Sequence, residues 1–211
     1  DVADGKRRWA YQRVTPALTL RSNVGMLMVD NMVLAGFPGG KLVAINGKNG
    51  AATWEATVAV PKGATELERV ADITSLPVAD EREVCAAAYQ GRVACFELST
   101  GTQVWARDIS SSAGLDMDKT RVYVSDDKGA VQAFARDSGA SLWKQDKLAN
   151  RGLSRPIVLD RRVAVADFQG FVHFLNVEDG AFVARAATDG SAIRAEPQRL
   201  AGGLVVQTRK G

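Results

Sequence analysis

Apolar residues along this chain fall in short runs, and each run ends at a turn containing glycine. The clearest example is residues 91–105, GRVACFELSTGTQVW, in which an apolar run is followed by Ser-Thr-Gly and then by Trp105. No amphipathic pattern with the helical period of about 3.6 residues is sustained anywhere in the chain. The pattern therefore predicts short β-strands joined by tight turns, which is typical of an all-β protein.

The same phrase recurs along the chain. Residues 40–54 read GKLVAINGKNGAATW and residues 129–143 read GAVQAFARDSGASLW, whereas residues 170–184 read GFVHFLNVEDGAFVA and lack the final Trp. The glycine that opens the phrase stands at positions 40, 91, 129, 170 and 211. A period of about 40 residues is compatible with β-propeller blades and with helical repeats. Since the segments are strand-like, we interpret each repeat as a blade of up to four antiparallel strands, A to D.

The second repeat has all four predicted strands, at 75–78, 83–89, 92–98 and 103–107. In the first and third repeats, strands B, C and D are predicted at 32–36, 41–46 and 52–57, and at 121–125, 130–135 and 141–144. The fourth repeat has strands A to D at 155–159, 162–166, 171–176 and 181–185. A leading D strand is predicted at 9–14, and two closing strands at about 194–200 and 204–207.

These strands predict one β-propeller domain over residues 1–211. Its repeats are expected at about 15–57, 75–108, 115–145 and 155–186, with a partial blade at 194–211. This is about five blades' worth. Because an open blade edge is an aggregation hazard, either the two ends join into a composite blade or the chain is part of a larger ring, and we favour the larger ring.

The C strands are apolar at both parities, as in Leu42 to Ile45. A strand that is apolar on both faces has to be covered on both faces, which a blade between two neighbours satisfies. The spaced tryptophans are predicted to pack between blades, the alternative being a stacking platform for bases or sugars. They are Trp9, Trp54, Trp105 and Trp143.

Composition narrows the function without defining it. The formal net charge is +3 and the pI is about 9.0, but Lys and Arg are scattered without interleaved aromatic residues, so no nucleic-acid partner is expected. No apolar stretch of about 18 residues could span a membrane. The chain begins within a repeat, and we expect any targeting segment to lie outside it.

Two loops are candidates for binding. Residues 60–74, VPKGATELERVADIT, lengthen one repeat, and insertions in repeat proteins often lie on the binding face. Residues 16–23, PALTLRSN, carry Leu18 and Leu20 followed by Arg21. Both loops precede or form an A strand and should lie on the same rim of adjacent blades. The alternative for Leu18 and Leu20 is a place in the core.

Cys85 and Cys95 flank the Gln90-Gly91 turn. With a two-residue loop, Cys85 would face Phe96, and the two cysteines would point to opposite sides of the sheet. A disulfide is therefore disfavoured, and both are predicted to be buried free thiols; a one-residue bulge would reverse this.

The chain shows no catalytic constellation or metal-ligand spacing. The single histidine, His173, is predicted to be a packed or half-exposed strand residue. Four aspartates could suggest calcium, Asp116, Asp118, Asp126 and Asp127. They are interpreted as turn formers instead, with Asp116 in a turn before strand B and the Asp126-Asp127 pair in the turn between strands B and C.

The skeleton G-x-x-x-A-x-x-x-x-x-G-x-x-x-W resembles that of the PQQ-type propeller superfamily. More closely, the runs TELERVADITSLPV, AAYQGRVACFELSTGTQVW, RPIVLDRRVAVADFQGFVHFLNVEDGAFVA and EPQRLAGGLVVQTRKG resemble the BamB family. This is the family of propeller lipoproteins in the β-barrel assembly (BAM) machinery of the Gram-negative outer membrane. The resemblance implies an eight-bladed propeller, of which this chain would be the C-terminal part. It also implies a non-enzymatic scaffold without a cofactor, at the periplasmic face of the outer membrane, held there only by an N-terminal lipid anchor outside this chain.

The resemblance also implies partners and a site. Leu18-Thr19-Leu20-Arg21 matches the family's loop that faces the periplasmic POTRA domains of BamA, and Asp72 matches the first of two acidic positions on the next blade. The second acidic position is Thr74, a departure from the pattern that makes Thr74 a secondary candidate, as is Arg69 on the same loop. Other BAM subunits and unfolded outer-membrane proteins are further expected partners. The alternatives are an enzyme of the quinoprotein dehydrogenase type, although the adjacent Cys pair of those enzymes is missing, and a generic protein-interaction adaptor.

Overall fold

A computed structural model describes residues 3–20 and 24–211 of the chain, and the described part contains strands but no helix. The first eight strands are β1 (Met26–Val29), β2 (Met32–Phe37), β3 (Lys41–Asn46), β4 (Ala52–Thr57), β5 (Val78–Ala79), β6 (Glu83–Ala87), β7 (Val93–Glu97) and β8 (Gln103–Arg107). The next eight are β9 (Gly114–Met117), β10 (Arg121–Ser125), β11 (Val131–Ala135), β12 (Ser141–Gln145), β13 (Ile157–Leu159), β14 (Arg162–Ala166), β15 (Phe171–Asn176) and β16 (Phe182–Ala187). The last two are β17 (Gln198–Leu200) and β18 (Gly203–Val205).

The strands form four four-stranded antiparallel sheets in chain order, β1–β4, β5–β8, β9–β12 and β13–β16, followed by the pair β17–β18. We call these blades 1 to 5. The predicted all-β architecture of antiparallel blades is confirmed. The B, C and D strands of blades 1 to 4 lie where the apolar pattern placed them, with ends that differ by at most two residues.

The short A strands and the chain ends were predicted less well. The leading strand predicted at 9–14 is wrong, because the structure has no strand within residues 3–20. The second A strand is β5, later and shorter than predicted, and β17 and β18 are also shorter. Asp116 does not lie in a turn: it lies in β9, where its carboxylate accepts a hydrogen bond from the Val158 N–H at 2.8 Å.

The core lies between successive blades rather than within any one sheet. Leu42 and Phe96 belong to the cluster between blades 1 and 2, and Leu115 and Phe134 belong to the cluster between blades 2 and 3. The C strands of blades 2, 3 and 4 therefore bury both of their faces, one against each neighbouring blade. This arrangement explains why the C strands are apolar at both parities.

Three tryptophans fasten blades 1, 2 and 3 to the blade that follows, and Trp9 fastens the N-terminal segment to blade 1, which confirms their predicted packing role. The indole Nε1 of each donates to a backbone carbonyl just beyond the C strand of the following blade. The donor–acceptor pairs are Trp9 with Gly47 (2.8 Å), Trp54 with Leu98 (2.8 Å), Trp105 with Arg136 (2.7 Å) and Trp143 with Val177 (2.9 Å). Each ring lies flat against the glycine of the following C–D turn, so these glycines combine a left-handed backbone with a surface for the ring.

Cys85 and Cys95 are joined by a disulfide, so the prediction of two free thiols is wrong. They are directly paired across β6 and β7. The Ala88 N–H donates to the Arg92 carbonyl at 2.9 Å, which leaves a three-residue loop of residues 89–91 in place of the expected two-residue turn. Gln90 adopts a left-handed φ of 48°, and this extra loop residue shifts the register by one and turns both cysteines to the same face.

Candidate interaction surface

The two candidate loops precede the A strands of adjacent blades, residues 16–20 before β1 and residues 60–74 before β5. Successive blades repeat the same strand directions, so both loops lie on the same rim. A side chain of the second loop also bonds directly to the backbone of the first. Residues 16–20 and 60–74 are called the first loop and the second loop below.

Asp72 makes this connection. Its Oδ2 accepts a hydrogen bond from the Leu20 N–H at 2.7 Å, and its Oδ1 accepts one from the Gly39 N–H at 2.9 Å. The side chain is buried, with Asp72 only 2% exposed, and the Asp72 carbonyl accepts the Tyr89 N–H at 2.9 Å. Hydrogen bonds to an ionised acceptor are roughly twice as strong as neutral ones. Asp72 therefore orients the first loop and does not present its carboxylate to solvent.

The first loop presents leucine side chains at the surface. Leu18 is 42% exposed and Leu20 is 37% exposed, so neither has the buried position that the core alternative requires. The Leu20 N–H is held by Asp72, which fixes the backbone from which the side chain projects. Arg21, the third residue of the predicted loop site, lies outside the described residues.

The second loop is folded on itself. Glu68 Oε2 accepts the N–H groups of Ala64 (2.8 Å) and Thr65 (3.1 Å), and Thr65 Oγ1 accepts the Glu68 N–H at 3.3 Å, which is the reciprocal pattern of a capping box. The Thr65 and Ala64 N–H groups lower the pKa of Glu68. This turn leaves the Leu67 side chain 70% exposed to solvent. Leu67 was not among the residues predicted from the sequence, because its exposure follows from the geometry of the turn.

The secondary candidates, Arg69 and Thr74, have local partners. Arg69 Nε donates to the Gly63 carbonyl at 2.9 Å, and its guanidinium lies 3.7 Å from Glu66. Thr74 Oγ1 donates to the Ser112 carbonyl at 3.1 Å, which ties the second loop to blade 3. Arg69 stays exposed beside Leu67, whereas Thr74 lies between two blades.

The aspartates that could have suggested calcium have other partners. Asp118 accepts the Tyr123 hydroxyl at 2.7 Å, and burial, with this ionised neighbour, raises the pKa of Tyr123. Asp126 caps its own turn by accepting the N–H groups of Lys128 and Ala130. Residues 3–20 and 24–211 contain no group of three or more His, Cys, Asp or Glu side chains placed to hold a metal ion. Within the same residues no helix is long and apolar enough to cross a membrane.

Comparison with known proteins gives consistent matches. The profile of the family described as outer membrane protein assembly factor BamB matches residues 1–145 and 127–211. The outer membrane protein assembly factor BamB of Nitrosomonas eutropha is 51% identical over 100% of this chain and 52% of its own length. The crystal structure of BamB from Moraxella catarrhalis superposes with a TM-score of 0.90 at 31% identity, over 97% of this chain and 61% of that one. A europium-containing methanol dehydrogenase has a TM-score of 0.65 at 13% identity, over 85% of this chain and 45% of that one, a likeness of fold alone. The chain spans about half the length of the curated relatives it matches.

Proposed function

Because this chain belongs to the family of the outer membrane protein assembly factor BamB, we propose that it docks on the periplasmic POTRA domains of BamA as a non-enzymatic scaffold. In this role it aids the assembly and insertion of outer-membrane proteins. The docking surface comprises Leu18 and Leu20 of the first loop, Arg21, which follows them in the sequence, and the exposed Leu67 and Arg69 of the second loop.

The observation that carries the proposal is the buried Asp72 carboxylate. Both of its oxygens accept backbone hydrogen bonds, one from the Leu20 N–H in the first loop and one from the Gly39 N–H between β2 and β3. These bonds hold the first loop in one geometry. Leu18 and Leu20 are thereby kept at the surface. A preorganised loop loses less conformational entropy on binding, so its apolar side chains add more to affinity. An aliphatic anchor that fills a pocket of the partner can serve at the centre of an interface, and arginine is among the residue types enriched there.

The wider assignments rest on the same family membership. The other BAM subunits and unfolded outer-membrane proteins are proposed as further partners, and the periplasmic face of the outer membrane as the location. The lipid anchor and the eight-bladed ring, both implied by the resemblance, stay predictions about residues outside this chain. No nucleic-acid partner and no cofactor are proposed.

Replacing Leu18, Leu20 and Arg21 with alanine should weaken binding to a BamA POTRA fragment by about a hundredfold or more, since each interface anchor typically contributes about 1–2 kcal/mol. Isothermal titration calorimetry on the purified protein measures the change. Circular dichroism and the thermal midpoint establish that the blades are intact.

The matched control replaces two exposed apolar residues of D strands, Val104→Ala and Leu142→Ala, which are 38% and 47% exposed away from both loops. This pair should leave POTRA affinity within about twofold, because scattered surface apolar residues carry no specific role. Equal affinities for the loop variant and the wild type, with a folded protein, would show that docking takes place elsewhere.

Asp72→Asn separates positioning from direct contact. The amide keeps the shape but replaces one acceptor by a donor, so either the Leu20 or the Gly39 N–H loses its partner. An unsatisfied buried donor costs about 1–3 kcal/mol. We expect amide hydrogen exchange at Leu20 or Gly39 to accelerate and POTRA affinity to fall by about tenfold. If affinity falls while both amides keep their protection, Asp72 acts on the partner directly; if neither changes, Asp72 has no role in docking.

A further inference from the structure

A groove of about 440 Å³ lies between blades 3 and 4, away from the two loops. One side is the connection between β12 and β13, which contributes Lys147, Leu148 and Arg151. The other side is the surface of β15 and β16. Its lining residues there are His173, Phe182, Val183, Ala184 and Arg185.

The floor of the groove is organised by Asp167, which is fully buried. Its Oδ2 contacts Arg151 Nη1 at 2.7 Å and His173 Nε2 at 2.9 Å, and its Oδ1 accepts the N–H groups of Gln169 and Phe171 at 2.9 Å each. Burial by itself raises the pKa of Asp167. The hydrogen bonds from His173, the Phe171 N–H and Arg151 together lower it by more, so the pKa lies below its ordinary value. The carboxylate is therefore ionised and saturated with donors, and it fixes Arg151 in place.

Blade 3 offers an internal comparison, because its residues correspond to those of blade 4 at an offset of 41. Asp126 occupies the place of Asp167 and accepts the same two turn N–H groups, while its Oδ2 accepts Gln132 Nε2 at 2.7 Å. Gln132 thus occupies the place of His173. The buried aspartate and one polar partner suffice for the turn, so the fold of blade 4 does not require a histidine, an arginine and two phenylalanines around it.

The charge of the groove is unbalanced. Lys147, Arg151 and Arg185 carry three positive charges, and Asp167 supplies one negative charge, so these four side chains have an excess of two positive charges. Among the described residues, no carboxylate lies within 4.0 Å of Lys147 or Arg185. Arg185 instead lies over the Phe171 ring, 4.7 Å from its centroid, in a cation–π contact that orients the guanidinium.

The groove also has an apolar wall. Phe182 is 41% exposed and packs edge-on against His173 with 6.0 Å between ring centroids. Val183 is half exposed, and Leu148 is buried at the opposite side. A concave site with cations on both sides and an aromatic and aliphatic surface on one of them matches a ligand that has both an anionic group and an apolar body.

We propose that this groove binds a small amphiphilic anion, with one carboxylate or phosphate group on an aromatic or aliphatic body. Arg185 and Lys147 receive the anionic group, because arginine pairs with both kinds of oxyanion in bidentate geometry. Phe182 and Val183 receive the apolar body. Asp167, through Arg151 and His173, keeps the floor rigid. This proposal is independent of docking on BamA.

The test titrates the purified protein with 4-phenylbutyrate, phenyl phosphate and the neutral 4-phenylbutanamide, followed by chemical-shift changes and calorimetry. Saturable binding of at least one anion is expected, with shifts around Arg185 and Phe182, and the amide should bind at least tenfold more weakly. The stronger of the two anions identifies the carboxylate or the phosphate as the preferred group. Absence of saturable binding by both anions at millimolar concentration would overturn the proposal.

Two variants and one control variant localise the site. Arg185→Gln should weaken binding of the anion by about tenfold or more, because it removes the charge-assisted hydrogen bonds between the guanidinium and the anionic group. Lys144→Gln is the matched control, since Lys144 is the residue that corresponds to Arg185 in blade 3, and it should leave affinity unchanged. His173→Gln copies the Asp126–Gln132 pair, so the blade should fold while the apolar part of binding weakens. Equal losses in Arg185→Gln and Lys144→Gln would reduce the effect to net charge and overturn the site.

Discussion

Gly139→Ala should destabilise the protein by about 3–5 kcal/mol, far more than a single added methyl group usually does. Gly139 has a φ of +64°, and a left-handed conformation costs an L-residue about 1–2 kcal/mol. A Cβ at this position would also lie 2.6 Å from two ring atoms of Trp105. Since the ring has to move, the Trp105 Nε1 hydrogen bond to the Arg136 carbonyl is lost or lengthened, and overpacking typically costs a further 1–3 kcal/mol. Urea denaturation followed by tryptophan fluorescence measures the difference.

Gly190→Ala is the matched control for the backbone term. Gly190 has a φ of +80°, but nothing lies within 4 Å of where its Cβ would be. We expect about 1–2 kcal/mol there, which leaves about 2–3 kcal/mol at Gly139 for the contact with Trp105. In a Trp105→Leu background the two glycine substitutions should become similar, because the clashing ring is gone. Equal costs in the wild-type background would mean that the Trp–Gly contact does not fasten the blades.

The Trp–Gly contact also shows why the blade pattern was readable from sequence. One phrase encodes the turn glycine, the packing tryptophan and an apolar C strand, and it recurs in full in blades 1 to 3, whereas blade 4 keeps the glycine and the apolar strand without the tryptophan. The A strands have no comparable phrase. β5 has two residues and β9 contains Gly114 and Asp116, so burial there depends on neighbouring blades rather than on a local apolar run.

The length of the turn between β6 and β7 could not be read from the sequence. The Cys85–Cys95 pairing depends on whether the turn after β6 has two residues or three, and a single left-handed residue, Gln90, decides it. An Asn-Gly or Asp-Gly pair predicts a two-residue hairpin turn, whereas Tyr-Gln-Gly does not indicate a loop length. A shift of one residue in register reverses which side chains share a face, so one turn residue separates a disulfide from two isolated thiols.

The candidate site was predicted only in outline. The interrupted repeat and the Leu-Thr-Leu-Arg run pointed to the two loops, with a core position for the leucines left open, but the role of Asp72 did not follow. Leu20 and Asp72 are far apart in sequence and meet only through the packing of two blades. A buried aspartate that caps a loop and an exposed aspartate that contacts a partner look alike in a sequence. The groove at His173 is a similar case, since its cations come from two separate segments, the β12–β13 connection and β16.

Arg136→Met should destabilise the protein by about 3 kcal/mol at neutral pH. The Arg136 side chain is only 6% exposed, and it joins blade 3 to blade 2 through Nε to Glu83 at 2.8 Å and Nη2 to Asp80 at 2.5 Å. Removing one partner of a buried ion pair typically costs about 3–5 kcal/mol, because it leaves uncompensated buried charge. The lower end is expected here because Asp80, at 39% side-chain exposure, keeps part of its hydration.

The effect of Arg136→Met should depend on pH. Burial alone raises the pKa of Asp80. The hydrogen bond from Arg136 and those from the Arg82 and Glu83 N–H groups together lower it by more, so the folded-state pKa is depressed. A depressed carboxylate pKa stabilises the fold above the unfolded-state pKa of about 3.9, and this stabilisation disappears as pH falls through the folded-state value. The difference between wild type and variant should therefore be constant from about pH 6 to 8 and shrink below about pH 4.

Two comparisons separate a buried clamp from a generic ion pair. Arg121→Met breaks the pair with Glu178, which links blades 3 and 4 at a more exposed position, and should cost only about 0.2–1 kcal/mol. Adding Glu83→Gln to Arg136→Met should recover part of the loss, because it removes the buried carboxylate left without its partner. A cost at Arg136 no larger than at Arg121, or no recovery with Glu83→Gln, would mean that apolar packing and the tryptophans alone hold these blades together. If both results appear as expected, charge inside the blade interface contributes to cohesion because it is buried and fully paired, and the exposed pair between the next two blades is the reference that proves it.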